Sequence, residues 1–200
     1  MKKGLIIFVR HPELGKVKTR LAASIGDEAT LIIYQKLLQH TFNISNSIDA
    51  DKHVFYSEKV IEDDLWEGER FFKGLQQDTD LGNRMKHAFE KVFEKGYEKV
   101  GIIGSDSYEL SAQIITDAFE RLDQTDIVIG PAKDGGYYLL ALKDYVKDIF
   151  QNIEWSTEKV LRQTIEVIKQ KGYSYALLPL LTDVDTIDDL PQQWKDEVLG

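Results

Sequence analysis

The sequence predicts an α/β fold, a largely parallel sheet of about seven strands covered by helices. Two observations predict it. Short apolar runs alternate along the chain with segments of helical period. No internal repeat, low-complexity tract or Pro/Gly-rich linker divides the 200 residues, and a 42% hydrophobic content is enough for one well-buried domain spanning 1–200.

Strands are expected at 4–9, 53–57, 70–73, 99–104, 126–130, 137–142 and 174–178, each a short apolar run. Helices fit between them. A short one opens at Thr19 or Arg20, and 27–46 places Ala29, Ile32, Ile33, Leu37 and Phe42 near one face. Segment 80–95 does the same with Leu81, Met85, Ala88, Phe89, Val92 and Phe93. Ser111 can cap a helix running to Leu122, and Ser156 or Thr157 followed by Glu158 can start another that ends at Gly172. Thr186 opens a helical turn with Asp188 and Asp189 just inside it. The acidic stretch 62–69 reads as a solvated helix or loop face.

Charge narrows the function. With 25 Lys+Arg against 34 Asp+Glu and a pI near 5.0, the surface as a whole repels polyanions, which argues against nonspecific nucleic-acid or anionic-membrane binding. Any anion site must be local. The absence of Cys excludes disulfides, thiolate metal sites and a cysteine nucleophile. The apolar stretch at 5–9 is too short for a signal-peptide core or a bilayer span, so a cytoplasmic protein is expected.

Four stretches carry candidate chemistry. "GKVKTRLA", residues 15–22, sets Lys16, Lys18 and Arg20 just after the first strand, with Arg10 and Gly15 in the same loop. It is not a P-loop, because Lys16 is followed by Val17. Instead, loop amides and cationic side chains can converge on a phosphate. His11 stands in the same loop, as a phosphate contact or a surface histidine. "KVGIIGSDS", residues 99–107, delivers Asp106 beyond the carboxyl end of a strand, the edge where open α/β sheets bind ligands. A carboxylate there can hold Mg²⁺ or Mn²⁺ with a diphosphate, or simply cap a turn. "LTDVDTIDDL", residues 181–190, adds Asp183 and Asp185, which point the same way by period two after another strand. In "GPAKDGGYYLLAL", residues 130–142, Gly135 and Gly136 allow close approach of a ligand with Asp134 just ahead of them, or form a turn between strands.

GKVKTRLA, "DLGNRM" at 80–85, GSDS, GPAKDGGYYLL, "IEWST" at 153–157 and DVDTIDDL come in the order and rough spacing of a known family. The chain resembles, over nearly its whole length, a bacterial family of small nucleotide-diphospho-sugar transferase-like proteins. That family is uncharacterised, is often labelled a glycosyltransferase family, and is similar to the nucleotidyltransferases that make molybdopterin and deazaflavin cofactors. The resemblance implies a GT-A type fold, a single Rossmann-like α/β/α sandwich with a mixed, mostly parallel sheet and a metal-bound nucleotide. It places the basic phosphate loop on Lys16, Lys18 and Arg20, the metal carboxylate on Asp106, and the second acidic position on Asp185 with Asp183 as the alternative. Two departures stand out: "PELG" at 12–15 where relatives have Pro-Glu-Pro-Gly, and Ser107-Tyr108 where a Cys-Pro pair is usual.

The mechanism this implies is phosphate-side chemistry in which Mg²⁺ or Mn²⁺ on Asp106 and Asp185 bridges a diphosphate while Lys16, Lys18 and Arg20 offset charge on the leaving group. Asp134 would orient or deprotonate an acceptor hydroxyl. Trp155 can stack on the acceptor or bury against the sheet, and Gln76, Arg84 and Tyr138 are further pocket candidates. Three readings remain: a glycosyltransferase taking a nucleotide sugar, a nucleotidyltransferase joining a nucleoside triphosphate to a phosphorylated small molecule, and a noncatalytic nucleotide-binding protein. Only Lys133 is an obvious cation for an acceptor phosphate, which favours the sugar donor.

Overall fold

Strands β1 (Lys3–Val9), β2 (Asp51–Tyr56), β3 (Phe71–Leu75), β4 (Lys99–Ile103), β5 (Ile127–Pro131), β6 (Tyr137–Leu142) and β7 (Tyr175–Leu177) form one sheet in a computed structural model that describes residues 1–199. Their order is β3-β2-β1-β4-β6-β5-β7. Strand β6 pairs antiparallel with both neighbours, and the other pairings are parallel. The sheet is therefore mixed and mostly parallel. Its central strands β1, β4, β5 and β6 read as largely apolar runs because both faces are covered.

Side chains leave each strand on alternate faces, and the two faces build two cores. Leu5, Ile7 and Val9 of β1 pack beneath α1 (Thr19–Ile25), α2 (Asp27–Asn46) and α4 (Ala112–Arg121), where they meet Leu21, Ile33, Leu37, Ile115 and Phe119. Ile6 faces the opposite way, toward Met85, Phe89 and Val92 of α3 (Leu81–Phe93) and Ile168 of α5 (Val160–Lys171). A last helix, α6 (Gln192–Leu199), lays Trp194 onto the first core. Among the described residues no helix is long and apolar enough to cross a membrane.

Local signals set most boundaries. The Ser111 hydroxyl accepts the Ile114 amide at the start of α4, and Gly172 closes α5 with φ 77°. Four expectations change. Helix α5 begins at Val160, because Ser156 takes φ 64° and Thr157 spends its hydroxyl on the Glu154 carbonyl, so that segment is a turn. On α2 the buried side is Thr30, Ile33, Tyr34, Leu37, Leu38, Thr41 and Ser45, which leaves Ile32 51% exposed. On α3 Leu81 faces solvent and Gly82 is buried, since a Cβ there would collide with the Trp155 indole. Thus DLGNRM and IEWST are packing partners, with Trp155 set edge-on to Tyr137. Finally, the acidic stretch 62–69 buries Trp66, and Asp64 takes the Tyr56 hydroxyl and the Lys73 ammonium.

His53 of β2 makes folding pH-dependent. It is 2% exposed, stacks on Phe72 and meets Tyr97 edge-on, and its Nε2 is buried with no hydrogen-bond partner. Burial first, and then the nearby Lys95 charge, lower its pKa from 6.5 to about 4, with Asp51 opposing and Lys2 and Lys91 adding to the effect. The fold holds the ring neutral while the unfolded chain takes a proton below its ordinary pKa. Stability is therefore complete above that value, falls as pH drops from 6.5 toward about 4, and levels off below. The predicted loss is on the order of 2–3 kcal/mol, measured by denaturant unfolding at neutral and acid pH, and His53→Phe flattens that portion of the profile. Equal pH slopes in the two proteins would contradict it.

Candidate active site

The strand order reverses at β1. From it the chain moves outward through β2 and β3, whereas β4 lies on its other side, so the loops leaving the carboxyl ends of β1 and β4 part and open a crevice. Arg10, Val17, Lys18, Thr19, Arg20, Tyr34, Asp106 and Asp185 line a cavity of about 160 Å³ there.

Lys18 is its centre. The residue takes the left-handed conformation with φ 47° immediately before α1, which turns its side chain back under the loop to 7% exposure. Its ammonium lies 3.1 Å from Asp106 Oδ2 and 3.1 Å from Asp185 Oδ1, so one cation joins carboxylates from the middle and the end of the chain. Burial alone pushes the ammonium toward deprotonation, but the two flanking carboxylates outweigh it and its pKa is raised. Arg20, 78% exposed on the rim, reaches the other oxygen of Asp185 at 3.5 Å.

Backbone and second-rank side chains fix the two aspartates. The Val184 amide donates to the Asp106 carbonyl at 2.9 Å, the Ser107 hydroxyl donates to the Thr182 carbonyl, and the Thr182 amide donates to Glu109. The loop after β4 is thereby sewn to 182–185. Asp189 takes the Asp185 amide together with the Thr186 amide and hydroxyl in a capping box. Beneath the cavity the Tyr34 hydroxyl receives the Arg10 amide at 2.9 Å, donates to the Arg10 carbonyl and lies 3.4 Å from Ser105 Oγ. Burial first, and then the Asp106 charge, push this phenol up to about 12, so it stays a donor at any working pH. Sequence periodicity hid Tyr34, because the face it occupies on α2 includes Thr30, Thr41 and Ser45.

The other expected residues lie around this centre. Asp183 is partly buried behind it, and burial, then the charges of Asp106 and Asp134, raise its pKa to about 7. Asp183 and Asp185 thus differ in surroundings, since 182–185 is irregular rather than strand. Lys16 lies outside the cavity lining, 2.9 Å from Glu13. Gly15 turns the loop with φ 73°, and His11 is outside the lining. Asp134 accepts the Gly136 amide at 2.8 Å and shapes the Asp-Gly-Gly turn, where Gly135 takes φ 89° and its Cβ would strike the Glu158 backbone. Gln76 donates to the Val9 and Phe55 carbonyls, Arg84 to those of Asp78 and Thr79, and Tyr138 to that of Pro179, so the structure occupies all three in local hydrogen bonds.

Among the described residues no group of three or more His, Cys, Asp or Glu converges as a metal cage. Asp106 and Asp185 nevertheless share one cation, whose partner oxygens lie within twice 3.1 Å of each other. One or two carboxylates completed by substrate phosphates is the donor set that Mg²⁺ uses in nucleotide sites, so these residues fit a divalent ion.

The model of the DUF2064 family, uncharacterised proteins conserved in bacteria, matches residues 41–157. The chain belongs to that family. This DUF2064 protein is 34% identical to a protein from Desulfovibrio desulfuricans G20, provisionally named a nucleotide-diphospho-sugar transferase, whose structure superposes with a TM-score of 0.87 over 94% of this chain and 84% of that one. It is 24% identical to 2-phospho-L-lactate guanylyltransferase of Methanocaldococcus jannaschii over 92% of this chain and 80% of the relative. The inositol-1-phosphate CTP transferase of T. maritima shares the fold, with a TM-score of 0.62 at 15% identity over 99% and 95% of the two chains. The mixed, mostly parallel α/β fold of the DUF2064 chain thus matches that of its nucleotide-diphospho-sugar transferase neighbour.

Tyr34→Phe removes the phenol that accepts the part-buried Arg10 amide, and the expected loss is about 0.5–1.5 kcal/mol of folding stability by denaturant titration. A variant as stable as the parent would show that this hydroxyl does not hold the β1 loop.

Proposed function

We propose that the protein is a nucleotidyltransferase that joins a nucleoside triphosphate to a phosphorylated small molecule. The observation that carries this reading is the meeting of Lys18, Arg20, Asp106 and Asp185 in one crevice at the carboxyl ends of β1 and β4. That arrangement alone serves sugar and nucleotidyl transfer equally. The guanylyltransferase activity in the name of the Methanocaldococcus jannaschii relative supports nucleotidyl transfer over the sugar donor.

In this reading an oxygen of the acceptor phosphate attacks the α-phosphorus, the bond from that phosphorus to the bridging oxygen breaks, and pyrophosphate leaves. A phosphate dianion carries its nucleophilic electron pair already and needs no proton removed. Asp134 is then a turn-forming residue, in keeping with its bond to the Gly136 amide, rather than a general base. Lys18 and Arg20 neutralise the charge that grows on the departing pyrophosphate. Asp106 and Asp185 hold Mg²⁺ or Mn²⁺, and charge neutralisation on the phosphates is the chemistry such an ion supplies. Lys133, exposed beside the Asp-Gly-Gly turn, is the cation this reading assigns to the acceptor phosphate.

The test incubates the protein with Mg²⁺, each nucleoside triphosphate and a panel of small phosphate monoesters, and in parallel with nucleotide sugars and alcohols. Pyrophosphate release is expected in the first set, falling at least about 100-fold in Asp106→Asn and staying within about tenfold in Asp134→Asn. Nucleoside diphosphate released from a sugar donor, and abolished in Asp134→Asn, would overturn the proposal in favour of glycosyl transfer.

A further inference from the structure

The Lys18 ammonium fills the gap between Asp106 and Asp185, 3.1 Å from an oxygen of each, and a divalent ion bridging those two oxygens would need the same gap. Two cations cannot occupy one gap between the same carboxylate oxygens, because each repels the other at contact distance. Arg20 does not compete in this way: it approaches the outer oxygen of Asp185 from the rim and is 78% exposed. The surroundings of Lys18 give its ammonium one other anionic destination. Its stem is enclosed to 7% exposure, and the cavity that it shares with Arg10 and Arg20 is the place assigned above to nucleotide phosphates.

We propose that Lys18 is an internal cation that competes with the divalent metal for Asp106 and Asp185, and that the phosphates of the incoming nucleotide release the metal site by drawing Lys18 onto themselves. This rests on the metal reading of Asp106 and Asp185 given above. Metal alone must displace an ion pair to enter, and nucleotide alone meets an ammonium already engaged by carboxylates. Together each removes the obstacle to the other, so the two affinities are coupled, and linkage requires the coupling to be reciprocal. Free metal ions then bind only weakly, by displacing Lys18, until substrate arrives.

The experiment measures Mn²⁺ binding by electron paramagnetic resonance in protein freed of nucleotide and metal. Lys18→Met is expected to bind Mn²⁺ at least about tenfold more tightly than the parent, whereas Arg20→Gln, which removes an equal charge without opening the gap, changes affinity by less than about threefold. Asp106→Asn and Asp185→Asn lose the binding. Should Lys18→Met bind no more tightly while Asp106→Asn still abolishes binding, the competition is disproved and the metal reading stands. If Arg20→Gln tightens binding as much as Lys18→Met, general electrostatics explains the effect and the competition is again disproved. Asp106→Asn and Asp185→Asn that bind like the parent would remove the metal reading and the proposal with it. A second measurement needs no variant at position 18: the ¹⁵N resonance of the Lys18 ammonium in the intact protein should move as Mg²⁺ is added, and a resonance unmoved at saturating Mg²⁺ overturns the proposal even if Lys18→Met does not fold.

Discussion

A single ammonium holds the site together. Lys18 follows the first strand, Asp106 follows the fourth and Asp185 lies near the end of the chain, yet all three meet within hydrogen-bond distance. The meeting depends on the strand order, which sets β1 beside β4 and so brings two loops that are distant in sequence to the same edge of the sheet. It depends equally on what clamps those loops: Tyr34 under the β1 turn, Ser107 and Val184 between the second and third segments, and the Asp189 capping box behind Asp185.

Local charge works against the global charge here. The chain carries a net −9, and the segment around Asp183 adds carboxylates to the place where an anion must bind. Arg10, Lys18 and Arg20 reverse the sign over one cavity, and partial burial of Lys18 strengthens its field by removing water from around it. In the proposed reading an acidic protein thus draws its anionic substrate to one crevice.

Much of this is legible in the sequence because it depends on local patterns. Period-two and continuous apolar runs mark β1, β4, β5 and β6, Ser111 and Gly172 announce helix ends, and the Asp-Gly-Gly and Gly-Ser-Asp stretches fall at strand ends. What escapes are relations between distant residues. No pattern reveals that Tyr34 faces inward, since its helix face mixes Thr and Ser with Leu, or that Gly82 is small in order to admit Trp155. Lys16 and Lys18 look equivalent in GKVKTRLA, but the left-handed turn at Lys18 sends one to Asp106 and leaves the other on Glu13. The choice between sugar and nucleotidyl transfer is also invisible locally, because both reactions ask the same cations and carboxylates to hold a diphosphate.

The most direct measurement is a crystal structure with Mn²⁺ and a non-hydrolysable nucleoside triphosphate. The account predicts an anomalous Mn²⁺ peak in contact with Asp106 and Asp185, with the Lys18 ammonium moved from those carboxylates to a phosphate oxygen. Nucleotide bound away from the β1–β4 crevice, with Lys18 still seated between the two aspartates, would contradict it.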